Sequence, residues 1–248
     1  HKPNYVLPFT YSRPSRSPYE DLPNDENFDY VEAKFQISLK FLVADSVFTK
    51  GLTAEVAFTT LSWWQAYNGG ISSPFRESNY EPELILGYSK PWSLWGIPVT
   101  YTFLSLNHQS NGQAGSLSRS WNRIIGGVVL ENDNVVLNLN AWWRLPEDAK
   151  KDLNASKGDD NPNIEKYMGY GQLGFVWKLP CDHSLEIILR NNLRLENKGA
   201  IEIGWSFPLT EQLRGYVQYF NGYGEGLIYY NVHAQSIAVG VKLTDWLW

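Results

Sequence analysis

From about residue 31 onward the chain repeats segments of roughly ten residues in which apolar side chains alternate with polar ones, set apart by Gly, Asn, Asp and Ser clusters. A period of two belongs to strands, because successive side chains of a strand point to opposite faces of its sheet. Phe35, Ile37, Leu39 and Phe41 alternate with Lys34, Gln36, Ser38 and Lys40, and Leu52, Ala54, Val56 and Phe58 continue the pattern after a Lys50–Gly51 turn. Val135, Leu137, Leu139, Ala141 and Trp143 repeat it, as do Leu185, Ile187 and Leu189. About twelve such segments are present, near 31–44, 52–64, 81–89, 97–110, 119–131, 135–145, 165–178, 184–195, 199–208, 212–221, 226–234 and 236–246. Residues 1–30 hold 5 of the 13 prolines and keep no period, so they read as an extended arm ahead of a β domain over 31–248.

A soluble β-sandwich would alternate in the same way, with its apolar face inward. Three features favour an all-β, twelve-stranded antiparallel transmembrane β-barrel instead. The strands are long enough to cross a hydrocarbon layer at a tilt. Their polar face carries charged and amide groups that need water or partners, as a barrel interior supplies. Aromatics gather at segment ends, in Trp63 and Trp64, Trp142 and Trp143, and Trp246 and Trp248, like the girdles of an outer-membrane barrel. An even strand count lets the cylinder close and leaves no sheet edge in the membrane.

Composition narrows the function. A net charge of −5 offers no electrostatic footprint for nucleic acid. A mean hydropathy of −0.34 and the lack of an 18-residue apolar run exclude a bundle of membrane helices. Cys181, the single cysteine, can form no disulfide within the chain and has no metal-ligand spacing. The start at His1, without Met or a signal segment, reads as a processed or recombinant mature form.

The chemistry concentrates in IPVTYTFLSLNHQS at 97–110. Leu104, Leu106, His108 and Ser110 share one strand face, and residues two apart lie roughly 7 Å apart at the backbone, so an imidazole and a hydroxyl can meet. A hairpin centred on Gly115 would pair His108 with Asn122, their Cβ atoms roughly 4.5 to 5.5 Å apart. This spells a relay with Ser110 as nucleophile, His108 as general base and then acid, and Asn122 fixing the ring. A His two residues from a Ser is otherwise a common chance pair. Sharing the leucines' face would put the relay on the outer wall of a membrane barrel. His183 reads as a solvated turn residue and His233 as a packing residue; the charged stretch Glu147 to Asp160 reads as a long solvated loop.

Asn107–His108–Gln109–Ser110–Asn111–Gly112, followed by Ser118–Arg119–Ser120–Trp121–Asn122–Arg123, resembles the signature pair of the outer membrane phospholipase A family. SSPFRESNYEPEL at 72–84, DDNPNIEKYMGY at 159–170 and GYGEGLIYYN at 222–231 extend the resemblance from about residue 30 to the C-terminus. The resemblance implies a twelve-stranded barrel of the bacterial outer membrane that hydrolyses the sn-1 and sn-2 acyl esters of phospholipids and lysophospholipids. Its catalytic residues match Ser110, His108 and Asn122. It implies calcium (Ca2+) as cofactor, bound by the Ser118 hydroxyl, the Gln113 carbonyl and the carbonyl of Ser72 of the partner subunit, with Asp160 near a further site. It implies a homodimer when active and a monomer when inactive. The chain departs from the family pattern at Gln113, where arginine is usual, and at Gly115, where an acidic residue helps hold additional calcium. The rival reading from another class is a non-enzymatic porin-like or adhesin-like barrel that keeps the motif without turnover.

Overall fold

The computed structural model describes residues 1–13, 28–70, 75–94, 96–152, 155 and 158–243. Among these, thirteen strands form one antiparallel sheet: β1 Tyr5–Ser12, β2 Val31–Ala44, β3 Leu52–Trp64, β4 Phe75–Tyr88, β5 Trp92–Leu94, β6 Ile97–Ser110, β7 Ser120–Glu131, β8 Val135–Arg144, β9 Gly171–Lys178, β10 Ser184–Asn191, β11 Gly199–Pro208, β12 Leu213–Tyr223 and β13 His233–Leu243. Each long strand pairs with its neighbours in sequence, β1 pairs with β13, and β4 pairs with β6 across the short β5, so twelve staves close a barrel with one extra strand at the rim. Among the described residues, helix is limited to α1, Glu165–Met168, and a 3-10 turn at Gly115–Leu117.

The strand expected over 165–178 opens as α1 and becomes β9 only at Gly171, and two further segments differ from the sequence reading in a way that touches the strand count. The arm expected over 1–30 contributes a barrel stave, because Tyr5–Ser12 lie between β2 and β13. Pro8 is accommodated where the register shifts between Val6 and Phe9, a bulge that removes the need for its missing N–H. The remainder of the expected arm, 14–27, lies outside the described residues. Conversely, the strand expected at 226–234 is a folded-in loop: Leu227, Ile228, Tyr229 and Tyr230 are all buried in succession, which no strand exposed on one face allows. The two differences cancel in the strand count.

The side chains sort by face as a membrane barrel requires. Ile37, Leu39, Phe41, Leu84, Leu86, Leu104, Leu106, Ile237 and Val239 are exposed on the outer wall. Inside, Arg76 makes a bidentate pair with Glu32 at 2.9 and 2.7 Å, and Lys34 Nζ donates to Gln218 at 2.8 Å. His1 and Lys2 reach Glu83 and Glu81 in the same lumen. The expected aromatic girdle is half there. Adjacent strand residues face opposite ways, so Trp64 and Trp143 look outward, while Trp63 is buried between Lys34 and Arg76 and Trp142 packs edge-on against Trp121. Trp246 and Trp248 lie outside the described residues.

Candidate active site

The β6–β7 hairpin brings the predicted relay together on the outer wall. His108 pairs directly with Asn122 and Ser110 with Ser120, the register that symmetry about Gly115 predicts. Their inward neighbours, Asn107 and Arg123, are buried in the lumen. Leu104 and Leu106 are about half exposed, so His108 and Ser110 continue a lipid-facing stripe. The His108 ring Nδ1 lies 2.9 Å from the Asn122 Oδ1. Ser110 stands on the same face as His108, but its hydroxyl is not hydrogen-bonded to the ring, a contact that catalytic pairs without substrate often form loosely.

Behind Asn122 stands Glu147, which belongs to none of the sequence motifs. The Asn122 Nδ2 donates to Glu147 Oε1 at 3.0 Å. β8 ends at Arg144, the Leu145 N–H still donates to the Asn122 carbonyl at 2.8 Å, and Pro146, which has no N–H, stops the ladder. The chain then turns and Glu147 reaches back. The sequence signal was available only as a Pro-Glu step after a strand, too common to single out.

The loop between β6 and β7 is folded around the buried Asn111. Its Oδ1 accepts from the Gln113 N–H at 3.2 Å and the Arg119 N–H at 3.0 Å, and its Nδ2 donates to the Leu117 carbonyl at 2.8 Å. Gly115 opens the 3-10 turn with φ +63°, a left-handed conformation that glycine takes without strain. Ser118 emerges from this loop toward the incoming 147–160 segment, where its hydroxyl donates to Asp160 Oδ2 at 2.9 Å; Ser120 donates to the same oxygen at 3.0 Å. The Lys150 ammonium pairs with Asp160 Oδ1. Of the four residues linked to calcium, Ser118 and Asp160 are in contact, Gln113 is exposed on the same loop, and Ser72 lies outside the described residues. Serine hydroxyl, carboxylate and main-chain carbonyl form an all-oxygen donor set, which fits a hard divalent cation.

The other histidines remain apart from the relay. His183 accepts a hydrogen bond from Trp205 Nε1 at 3.2 Å and packs against Trp205 and Phe207, so its turn is less open than expected. His233 meets Tyr223 edge-on. The 147–160 segment is tied down at both ends, by Glu147 and by Asp159 and Asp160, rather than freely solvated.

The family model described as Phospholipase A1 matches residues 1–243. The chain is 38% identical over 220 residues to Phospholipase A1 of Escherichia coli strain K12, covering 89% of this chain and 72% of that protein. It is 33% identical over 249 residues to Phospholipase A1 of Proteus vulgaris, covering 99% and 81%. Outer membrane phospholipase A from Escherichia coli, in an asparagine-to-alanine active-site mutant, superposes with a TM-score of 0.89 at 34% identity over 99% of this chain and 91% of that one. The Salmonella typhi outer membrane phospholipase, solved as a dimer with bound calcium, gives a TM-score of 0.89 at 35% identity, covering 98% and 91%. Sequence, barrel and matched length agree: the chain belongs to the phospholipase A1 family and is a phospholipid-hydrolysing β-barrel of the bacterial outer membrane.

Proposed function

We propose that the hydrolysis runs through Ser110, His108 and Asn122 as a serine-esterase relay on the lipid-facing wall, with calcium and a second copy of the chain completing the site. The observation that carries this reading is the 2.9 Å contact of His108 with Asn122 on the face that also presents Ser110. The active-site asparagine of the Escherichia coli protein supports the role given to Asn122.

In the first half-reaction the Ser110 oxygen attacks the ester carbonyl carbon while His108 takes the hydroxyl proton. The tetrahedral adduct collapses, the glycerol oxygen leaves with that proton from His108, and the acyl chain stays on Ser110. In the second half-reaction His108 takes a proton from water as its oxygen attacks the acyl carbon, and the fatty acid leaves while the proton returns to Ser110. Asn122 carries no charge, so it orients the ring more than it stabilises an imidazolium. Both sn-1 and sn-2 esters, and lysophospholipids, fit a site that opens sideways to the bilayer.

Ser118, the Gln113 carbonyl and Asp160 are the residues of this chain that would hold calcium, joined by the carbonyl of Ser72 of the partner subunit. When bound, the cation supplies positive charge for the developing oxyanion. One chain offers too few protein ligands for an ion that takes about 6 to 8 oxygens, which favours a shared site between two barrels. The dimeric, calcium-bound Salmonella typhi protein supports this. A serine-directed sulfonyl fluoride tests the relay directly: the adduct is expected on Ser110 with turnover lost in step, and a fully active, labelled enzyme modified elsewhere would overturn it. A non-enzymatic barrel would take no label at Ser110.

A further inference from the structure

We propose that Glu147 is a positioning residue of the relay, fixing which way round the Asn122 amide stands and thereby which nitrogen of His108 is the base. This rests on the reading of Ser110, His108 and Asn122 as the relay. An asparagine amide presents an acceptor on one side and a donor on the other, and its two orientations fill nearly the same space. With its Nδ2 toward His108, Asn122 would donate to Nδ1, leaving the proton on Nε2 and no base for the serine. With its Oδ1 toward the ring, the proton sits on Nδ1 and Nε2 is free to accept.

The choice is made from outside the pair. A carboxylate only accepts, so Glu147 Oε1 at 3.0 Å must face the Asn122 NH2, and the 2.9 Å contact to His108 is then made by the amide oxygen. The chain of bonds runs in one direction: His108 Nδ1–H to Asn122, Asn122 N–H to Glu147. The backbone holds the arrangement, since Leu145 N–H donates to the Asn122 carbonyl and Pro146 turns the chain immediately before the glutamate. The Asp159 and Asp160 contacts pin the far end of the same segment.

Glu147 is half-buried in a loop, so its replacement leaves the barrel standing. The test is a double-mutant cycle on dispersed diacyl phospholipid with calcium, together with nitrogen-15 spectra of the His108 ring in detergent micelles. Glu147→Ala is expected to lower kcat about tenfold with KM unchanged, the size of one charge-assisted hydrogen bond. Glu147→Gln, which keeps an acceptor, is expected to recover most of that rate. In an Asn122→Ala background the Glu147→Ala step should cost nothing further, because the glutamate acts only through the amide. The spectra should show the Nδ1-protonated ring in the parent and a mixture of both forms in Glu147→Ala. Equal losses with and without Asn122, or an unchanged ring signature, would overturn the positioning role. Activity retained by Ser110→Ala would instead show that the relay itself is wrong, so the two failures are separable.

Discussion

Lys150 and Asp160 form an ion pair at the very carboxylate that takes the Ser118 hydroxyl. A tethered ammonium therefore occupies the neighbourhood where a divalent cation would be held. Lys150→Met is expected to tighten calcium binding by roughly threefold to tenfold, since the ion no longer displaces a fixed positive charge. Titration calorimetry of the detergent-solubilised protein reads this without reference to turnover. An unchanged affinity would mean that the ammonium withdraws at no cost.

Ser118→Ala and Asp160→Asn act in the opposite direction. Each removes or weakens an oxygen donor, so the calcium concentration for half-maximal activity should rise by roughly tenfold. Chelation should lower activity and the cross-linked dimer fraction together, because an ion bound by both subunits must by linkage favour their association. Full activity in a monomeric, calcium-stripped sample would falsify the shared site while leaving Ser110 in place.

Ser110→Ala is expected to abolish hydrolysis with the β-sheet circular dichroism unchanged, since among the described residues the hydroxyl has no hydrogen-bond partner and its side chain faces the outer wall. Asn122→Ala should reduce kcat and keep a residual rate, because the base and the nucleophile both survive. Equal activity in Asn122→Ala and the parent would remove the amide from the relay.

The lumen carries a separate, structural prediction. Arg76 and Glu32 are both buried and joined by two parallel hydrogen bonds. Arg76→Ala leaves the Glu32 carboxylate buried with Gln65 and Ser12 as its remaining donors among the described residues, at a cost of about 3 to 5 kcal/mol. Equilibrium unfolding by denaturant in lipid vesicles reads the loss, and Arg76 makes no contact with the proposed relay on the outer wall.

Much of the site was legible because it is local. The register of His108 with Asn122 follows from one hairpin and its centre, and a period of two then assigns the outward face. What escaped were features set by distant contacts. Tyr5–Ser12 looked unlike a strand because Pro8 interrupts it, and only the partner strands show that a bulge absorbs the proline. Gly226–Tyr230 looked like a strand because it is apolar and aromatic, yet the Leu227 and Ile228 N–H groups donate to Asn79 and Glu77 side chains inside the barrel. Glu147 lies 25 residues from the asparagine it holds, a separation that no local period can reveal.

That inward-folded segment also bears on what the barrel can conduct. Leu227 and Tyr230 pack with Trp121, Trp142, Ile164 and Met168 into a cluster inside the barrel, and the Lys2–Glu81 and Arg123–Glu81 pairs line a lumen cavity of about 770 Å³ beside it. If the proposed relay on the outer wall is the reactive site, the axis needs to carry no substrate, and with this cluster and these ion pairs narrowing it, planar-bilayer recordings are expected to show a conductance well below that of an open pore.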